Sequence, residues 1–418
     1  MRLLKRPATS PSDQKWLSAA QKRDFLIYLG TVILAGFAVQ IQTITISWHV
    51  YQLTHNPIDL ALVGLSQFMP ALVLILVTGS IADRFPRKLI LRLCLAVETG
   101  VAVTLTAFAY YGFSDVRFIY AALIVFGTSR AFYNPARQAI VSNLVPPEIL
   151  ATALTKITTA NKLASVCGPI LGGFLYTINA ELAFGSVIFG LAAAFFLAGF
   201  LPKPKQFLEM GKVSWASLMG GIDYIWSQKI VLGAITLDLF AVILGGATAL
   251  LPMFAEDILQ VGSQGLGFLR AAPALGAISG SLILIRFPIT NHAGRIMFAA
   301  VVSFGLFTIV FALSPFFLLS LAALYCAGAC DTISVYVRGV LIQLWTPDEV
   351  RGRVNAINQL CIGASNEIGA FRAGTMAAFI SPVSTVLIGG IGALLVAGLW
   401  ASGFKSLRDI KGLTGPQD

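Results

Sequence analysis

Nine ionisable side chains lie inside long apolar runs, and they are the residues of this chain best placed to do chemistry. The acids are Glu98, Asp238, Asp331 and Glu367; the bases are Arg130, Lys162, Arg270, Arg338 and Arg372. A charge in hydrocarbon costs several kcal/mol unless it is paired or hydrated. A carboxylate in such a place can carry a proton, because burial and a neighbouring cation pull its proton affinity in opposite directions. Asp331, near the middle of its run, suits that role. Arg338 lies on the same helical face, seven residues on, but about 10 Å along the axis, too far to touch without a bridge. The alternative for each acid is a structural ion pair between helices; for Glu367 the partner would be Arg270 or Arg372. Two polar stripes accompany the charges. Gln40, Thr43 and Ser47 share one helical face, and Asn355, Gln359 and Asn366 share another. Amides and hydroxyls so placed either line a cavity or bond between helices. His49, beside Trp48 and Tyr51, is either pH-sensitive or simply interfacial.

The solvent for these charges is a bilayer. The chain has 418 residues, is 57% hydrophobic and 11% charged, and has mean hydropathy +0.82. Soluble domains carry about 25% charge, and a soluble fold of this length does not hide so much apolar sequence. The net charge of +10 is spread over alternate loops rather than pooled, which argues for membrane topology and against nucleic-acid binding. The five cysteines lie in or beside apolar runs with no zinc-type spacing. The three histidines, His49, His55 and His292, lie apart. No metal, cofactor, nucleotide-binding loop or nucleophile motif is expected, so the chain does not read as an enzyme.

Apolar runs place helices at 25–51, 59–82, 89–111, 118–140, 152–177 and 182–201, and again at 230–254, 263–286, 295–313, 316–341, 354–380 and 382–404. The expected organisation is a cytoplasmic N-terminal segment 1–24, a six-helix bundle 25–201, a cytoplasmic central loop 202–229, a second bundle 230–404 and a tail 405–418. Basic residues mark the even loops and the ends: Arg84, Arg87, Lys88 and Arg92; Arg137 and Lys156; Lys203 to Lys229; Arg286 and Arg295; Arg351 and Arg353. The odd loops offer only His55, Arg117, Glu181, Glu256 and Asp257. Positive residues stay inside, which places both termini in the cytoplasm. A repeat supports two related halves. Arg137–Pro146–Glu148 recurs as Arg338–Pro347–Glu349, about 200 residues on and after the fourth helix of each half. The fold class is therefore all-α integral membrane, twelve transmembrane helices in two pseudo-symmetric six-helix bundles.

Two motifs add mechanism. The second loop reads Gly79-Ser80-Ile81-Ala82-Asp83-Arg84-Phe85-Pro86-Arg87-Lys88. Its carboxylate can cap a helix N-terminus, and its cations can meet facing carboxylates or lipid headgroups. The fifth helix carries Gly168-Pro169-Ile170-Leu171-Gly172-Gly173, a kink with a flat face for close packing. The loop resembles the signature loop of the major facilitator superfamily, with Pro86 where that family usually has Gly. The helix-five run is similar to the antiporter motif of drug-exporting facilitators, with Ala164 where a further Gly is usual. Arg130 is either the family's helix-four arginine or a pairing residue within the cavity. Leu144 to Glu148, Leu251-Pro252, Pro347 to Val354 and Asn366-Glu367 resemble the branch that holds siderophore exporters and macrolide-type drug exporters.

The resemblance implies a monomeric secondary active transporter in a bacterial-type inner membrane, exporting a small amphipathic molecule against a proton. Uptake and lysolipid flipping by the same fold stay open. It also implies that helices one, four, seven and ten line the cavity. The candidates are then Gly79, Asp83, Arg84, Arg87 and Lys88 for gating, and Gly168, Pro169, Gly172 and Gly173 for the kink. Asp331, Asp238, Glu98 and Glu367 are the candidates for the proton, and Gln40, Thr43, Ser47, Arg130, Arg338 and Gln359 for the substrate.

Overall fold

The structure is a computed structural model that describes residues 19–112, 115–202 and 215–413, without the side chains of 19, 20, 75, 76, 79, 80, 82, 83 and 215–218. Most of the expected segment 1–24, part of the central loop and the end of the tail lie outside the described residues.

Twelve long helices follow one another: α1 Ala19–Thr54, α2 Pro57–Arg84, α3 Arg87–Tyr111, α4 Val116–Leu144, α5 Pro147–Ile178, α6 Ala180–Gly199, α7 Lys229–Gly245, α8 Gly262–Arg286, α9 Ala293–Leu313, α10 Phe317–Trp345, α11 Asp348–Phe379 and α12 Pro382–Gly403. Nine of the described helices are long and apolar enough to cross a membrane. The other three, α4, α5 and α11, are the ones that carry Arg130, Lys162 and Glu367. In hydrocarbon a spanning segment must satisfy its backbone internally, which helices do. Short polar links end them. Asn56 accepts a hydrogen bond from Ile58 N ahead of Pro57, Asn179 accepts one from Leu182 N, and Gly112 ends α3 at φ 67°.

The two halves repeat one packing scheme. In the first, α2 packs on α4, α3 on α4 and α6, and α1 on α5 and α6; in the second, α8 packs on α10, α9 on α10 and α12, and α7 on α11 and α12. Matching glycines make close backbone contacts in both halves. A Cβ on Gly127 would lie 2.1 Å from the Gln67 carbonyl oxygen, and one on Gly328 would lie 2.1 Å from that of Pro273. Positions 127 and 328 are separated by the same interval as Arg137 and Arg338.

Between the halves, α5 packs on α8 and α2 on α11. These contacts gather at one end, where α1 finishes and α2 begins. Only one apolar core cluster among the described residues mixes the halves, joining Trp48, Tyr51 and Leu60 to Phe254, Leu266 and Ala373. The remaining clusters each stay within one half. The molecule is thus shut at one end, and at the other no such core joins the halves.

Three local expectations change. The seventh helix breaks at Gly246–Ala247 and resumes through Thr248–Leu250, Leu251–Met253 and Phe254–Ile258. The central loop contains a helix, Trp215–Ser227, whose Tyr224 hydroxyl donates to the Trp345 carbonyl. The tail folds back over the start of α9: Ala293 N donates to Lys411 O at 3.1 Å, and Leu407 is buried.

Alanine at the repeat glycine tests this packing. Gly328→Ala should lower stability by about 1–3 kcal/mol, read as a lower thermal unfolding midpoint in detergent. Gly100, with open space around it, should tolerate alanine without loss.

Candidate functional site

The signature loop is a tight corner between α2 and α3. Pro86 sits there at φ −57°, a value natural to proline, so the corner needs no glycine. The basic residues that follow hold the ends of other helices. The Arg87 guanidinium donates to Ala139 O of α4 at 3.0 Å, and the Lys88 ammonium donates to Gly199 O at 2.8 Å and to Leu201 O beyond α6. The Lys88 ammonium, at the C-terminus of α6, satisfies orphan carbonyls and the dipole together. Arg84 is exposed. The side chain of Asp83 lies outside the described residues, as does position 79.

The helix-five glycines divide their work. A Cβ on Gly168 would lie 2.5 Å from Gln40 Cβ, and one on Gly172 would lie 2.5 Å from Ile44 Cγ2, so these two seat α5 on α1. Gly173 faces the other half: its Cβ would lie 2.3 Å from Ser263 O. Gly267 of α8 returns the contact, 2.7 Å from Pro169 O. Thr177 and Ser263 share a 2.9 Å hydrogen bond beside them, and the Tyr51 hydroxyl donates to Asp257. His49 is half-buried. It shares a 2.7 Å hydrogen bond with the Tyr176 hydroxyl, and Trp48 and Tyr51 are buried in the closure.

Most of the buried charges are paired within a half. Asp238 of α7 forms an ion pair with Arg338 of α10, their side chains 10% and 4% exposed. Glu98 of α3 is fully buried; Ser129 donates to it at 3.3 Å, and Arg130 lies 3.8 Å away, over the Tyr133 ring. Arg130 is thus a pairing residue, with a side chain 26% exposed. Arg372 donates to Ile243 O and Leu244 O, tethering α11 to α7 rather than binding Glu367. Asp331 forms no ion pair among the described residues; Lys162, from the other half, lies within its electrostatic reach. Asp331 and Arg130 occupy matching places in the repeat.

A polar pocket of about 400 Å³ lies between the halves against the closed end, reached by α1, α2, the resumed part of α7, α8 and α11. Thr43, Ser47 and Glu367 line it, with Arg270 and Asn366. Gln40, Arg130, Arg338 and Gln359 do not. Gln40 is held at the α1–α5 contact, the two arginines are held by carboxylates, and Gln359 lies about two turns along α11 from Asn366. Gln67 and Thr248 also line the pocket and were not singled out above. Gln67, an amide in the middle of an apolar run, carried a usable signal. Thr248 did not, because it faces the pocket only through the break in α7.

The Asp238–Arg338 pair has a measurable signature. Arg338→Gln should cost about 3–5 kcal/mol by stranding a buried carboxylate, and adding Asp238→Asn should recover much of it. Unfolding midpoints of both single variants and the double variant check this; strictly additive losses would contradict the pairing.

Residues 18–413 match the family described as transmembrane secretion effector. The enterobactin exporter EntS of Shigella flexneri is 27% identical over 400 residues, spanning 92% of this chain and 90% of that one. EntS of Escherichia coli O1:K1 / APEC gives the same identity and coverage. Among solved structures, a bacterial homologue of the human lysosomal transporter Spinster, inward-facing and unoccupied, is similar with TM-score 0.69 at 14% identity, covering 94% of this chain and 98% of that one. A bacterial homologue of the iron transporter ferroportin, inward-facing, is similar with TM-score 0.67 at 15% identity, covering 92% and 100%. At such identities the solved structures speak for the fold, which is that of the major facilitators. With the family model covering nearly the whole chain, the protein belongs to the transmembrane secretion effector family of major facilitator transporters.

Proposed function

We propose that this protein exports a siderophore or a similarly amphipathic, drug-like molecule from the cytoplasm, driven by protons moving inward. The observation that carries the reading is the one-ended closure. Bare backbone seals α5 to α8 and α2 to α11 at one end, while among the described residues no core cluster joins the halves at the other. The loops at the sealed end are nearly free of lysine and arginine, so charge bias puts that end outside and both termini in the cytoplasm of a bacterial-type inner membrane. The described state then faces inward, ready to load. Units 25–201 and 230–404 rock about the central cavity, and the segments 1–24, 202–229 and 405–418 stay cytoplasmic. A single chain holds the whole cavity, so the working unit is a monomer.

Export is favoured over uptake or lipid flipping by the helix-five glycines, which resemble an antiporter motif and of which Gly173 sits in the seal, and by the likeness to enterobactin exporters. Gating falls to Gly79, Asp83, Arg84, Arg87 and Lys88 at the cytoplasmic corner of α2 and α3. Proton coupling falls to the buried carboxylates. Asp238 and Glu98 are bound to arginines of their own half, so their release requires those pairs to loosen. Glu367 lines the pocket between the halves, and Asp331 lies within electrostatic reach of Lys162 from the other half.

Everted membrane vesicles test the reading. An imposed proton gradient, acidic in the lumen, should drive uptake of an iron-free siderophore or a macrolide into the vesicle. Asp331→Asn should leave the protein in the membrane and cut that uptake by about tenfold, about 1.4 kcal/mol in the barrier. Uptake that ignores the gradient, or an Asp331→Asn variant as active as the parent, would contradict proton coupling. Movement in the opposite direction would replace export by import.

A further inference from the structure

We propose that the pocket beneath the sealed end is a subsite for a zwitterionic head group, its ammonium held at Glu367 and its carboxylate at Arg270. This rests on the reading of the central cavity as the transport path and adds the chemistry of the part of the substrate that travels furthest in.

The first observation is a pair of opposite charges kept apart. Arg270 comes from α8 and Glu367 from α11, and both line the same pocket of about 400 Å³. They sense each other electrostatically, yet among the described residues no ion pair joins them. Each is held by a different neighbour. Arg270 Nη1 donates to Thr248 O at 3.1 Å, in the resumed part of α7. Glu367 Oε2 lies 2.8 Å from where a Cβ on Gly64 of α2 would be, so the carboxylate occupies the space that glycine leaves. Two half-buried ions held apart carry a partial desolvation penalty that their mutual attraction relieves only in part. A ligand with both charges supplies each with a partner.

The second observation is the hydrogen-bonding balance around them. The Thr43 hydroxyl donates to Val39 O at 2.8 Å, and the Ser47 hydroxyl donates to Thr43 O at 2.9 Å. Both are left with acceptor lone pairs only. Asn366 spends an N–H on Ile362 O at 2.8 Å and keeps its carbonyl oxygen. Free acceptor oxygens therefore share the pocket with Glu367, and an ammonium with three N–H donors fits among them. The guanidinium is the strong donor of the pocket and takes a carboxylate through its remaining N–H groups. A purely cationic ligand would leave Arg270 facing a like charge, and a purely anionic one would do the same to Glu367. Phe68, which packs on Gly363, gives the pocket an apolar wall for what the head group carries.

Three forms of one probe separate these cases on the full-length protein in lipid nanodiscs. L-phenylalanine is the zwitterion, its amide is a cation, and N-acetyl-L-phenylalanine is an anion. Ligand-dependent shifts in the thermal unfolding midpoint report binding to the folded state. L-phenylalanine should bind the unmodified protein about tenfold or more tightly than either derivative, because each lost charge-assisted contact costs that much. Glu367→Gln should weaken the zwitterion by about tenfold and strengthen the anion, whose like-charge neighbour is gone; Arg270→Gln should weaken the zwitterion and strengthen the cation for the same reason. The three-probe ranking needs no variant, so it stands even if a substitution harms folding. Equal shifts from all three forms, no shift from L-phenylalanine up to about 10 mM, or variants that bind like the parent would overturn the proposal. Binding is read without transport. The subsite therefore falls alone if L-phenylalanine fails while gradient-driven uptake into vesicles persists, and the export reading falls alone in the reverse case.

Discussion

The structure depends on backbone-to-backbone contact between the two halves at one end of the membrane. Lipid is as apolar as leucine, so burying apolar side chains gives spanning helices little reason to associate; close approach of small residues does. Gly173 against Ser263, Gly267 against Pro169 and Gly374 against Pro57 bring α5 onto α8 and α11 onto α2 without intervening side chains. Such contacts are short-ranged. They exist fully in the sealed arrangement and vanish with a small separation, so the two ends of the molecule trade closure rather than share it.

Charge is managed around that hinge in two ways. Within each half, a carboxylate and an arginine neutralise one another: Glu98 with Arg130 in the first, Asp238 with Arg338 in the second. These pairs lie inside a bundle and move with it. Between the halves, Arg270 and Glu367 line the pocket with no ion pair joining them among the described residues, and Lys162 lies within electrostatic reach of Asp331. Their surroundings change when one bundle moves against the other. The repeat places Arg130 and Asp331 at matching positions, so the same site carries opposite charge in the two halves. The two halves therefore differ in charge at that position even though the backbone repeats.

Much of the architecture was legible in the residues. Apolar runs and the alternation of basic loops give the helix count, because every span reverses the side on which charge is retained. The Arg137–Pro146–Glu148 repeat marks the same corner in each half, and Gly168 to Gly173 marks a close-packed helix. Pairing was not legible. Asp331 and Arg338 share a face of α10, which drew them together in sequence, but the partner of Arg338 is Asp238 on another helix. Helical spacing fixes the face a side chain occupies and says nothing of which helix lies opposite. Gln40, Thr43 and Ser47 likewise share a stripe, yet the stripe is divided along its length between the α1–α5 contact and the pocket. Helix Trp215–Ser227 was hidden among prolines and lysines, and the break after Gly245 was hidden inside an unbroken apolar run.

The central claim is that the two ends open and close in opposition. Spin labels at Ile178 and Gln260 report the separation of α5 and α8 at the sealed end, and labels at Ser142 and Leu344 report that of α4 and α10 at the other. Pulsed dipolar distances in nanodiscs, taken with and without transported substrate and at low and high pH, test the claim directly. The account predicts a second population in which the Ile178–Gln260 distance lengthens while the Ser142–Leu344 distance shortens. Distances that never change, or that lengthen together at both ends, would contradict it.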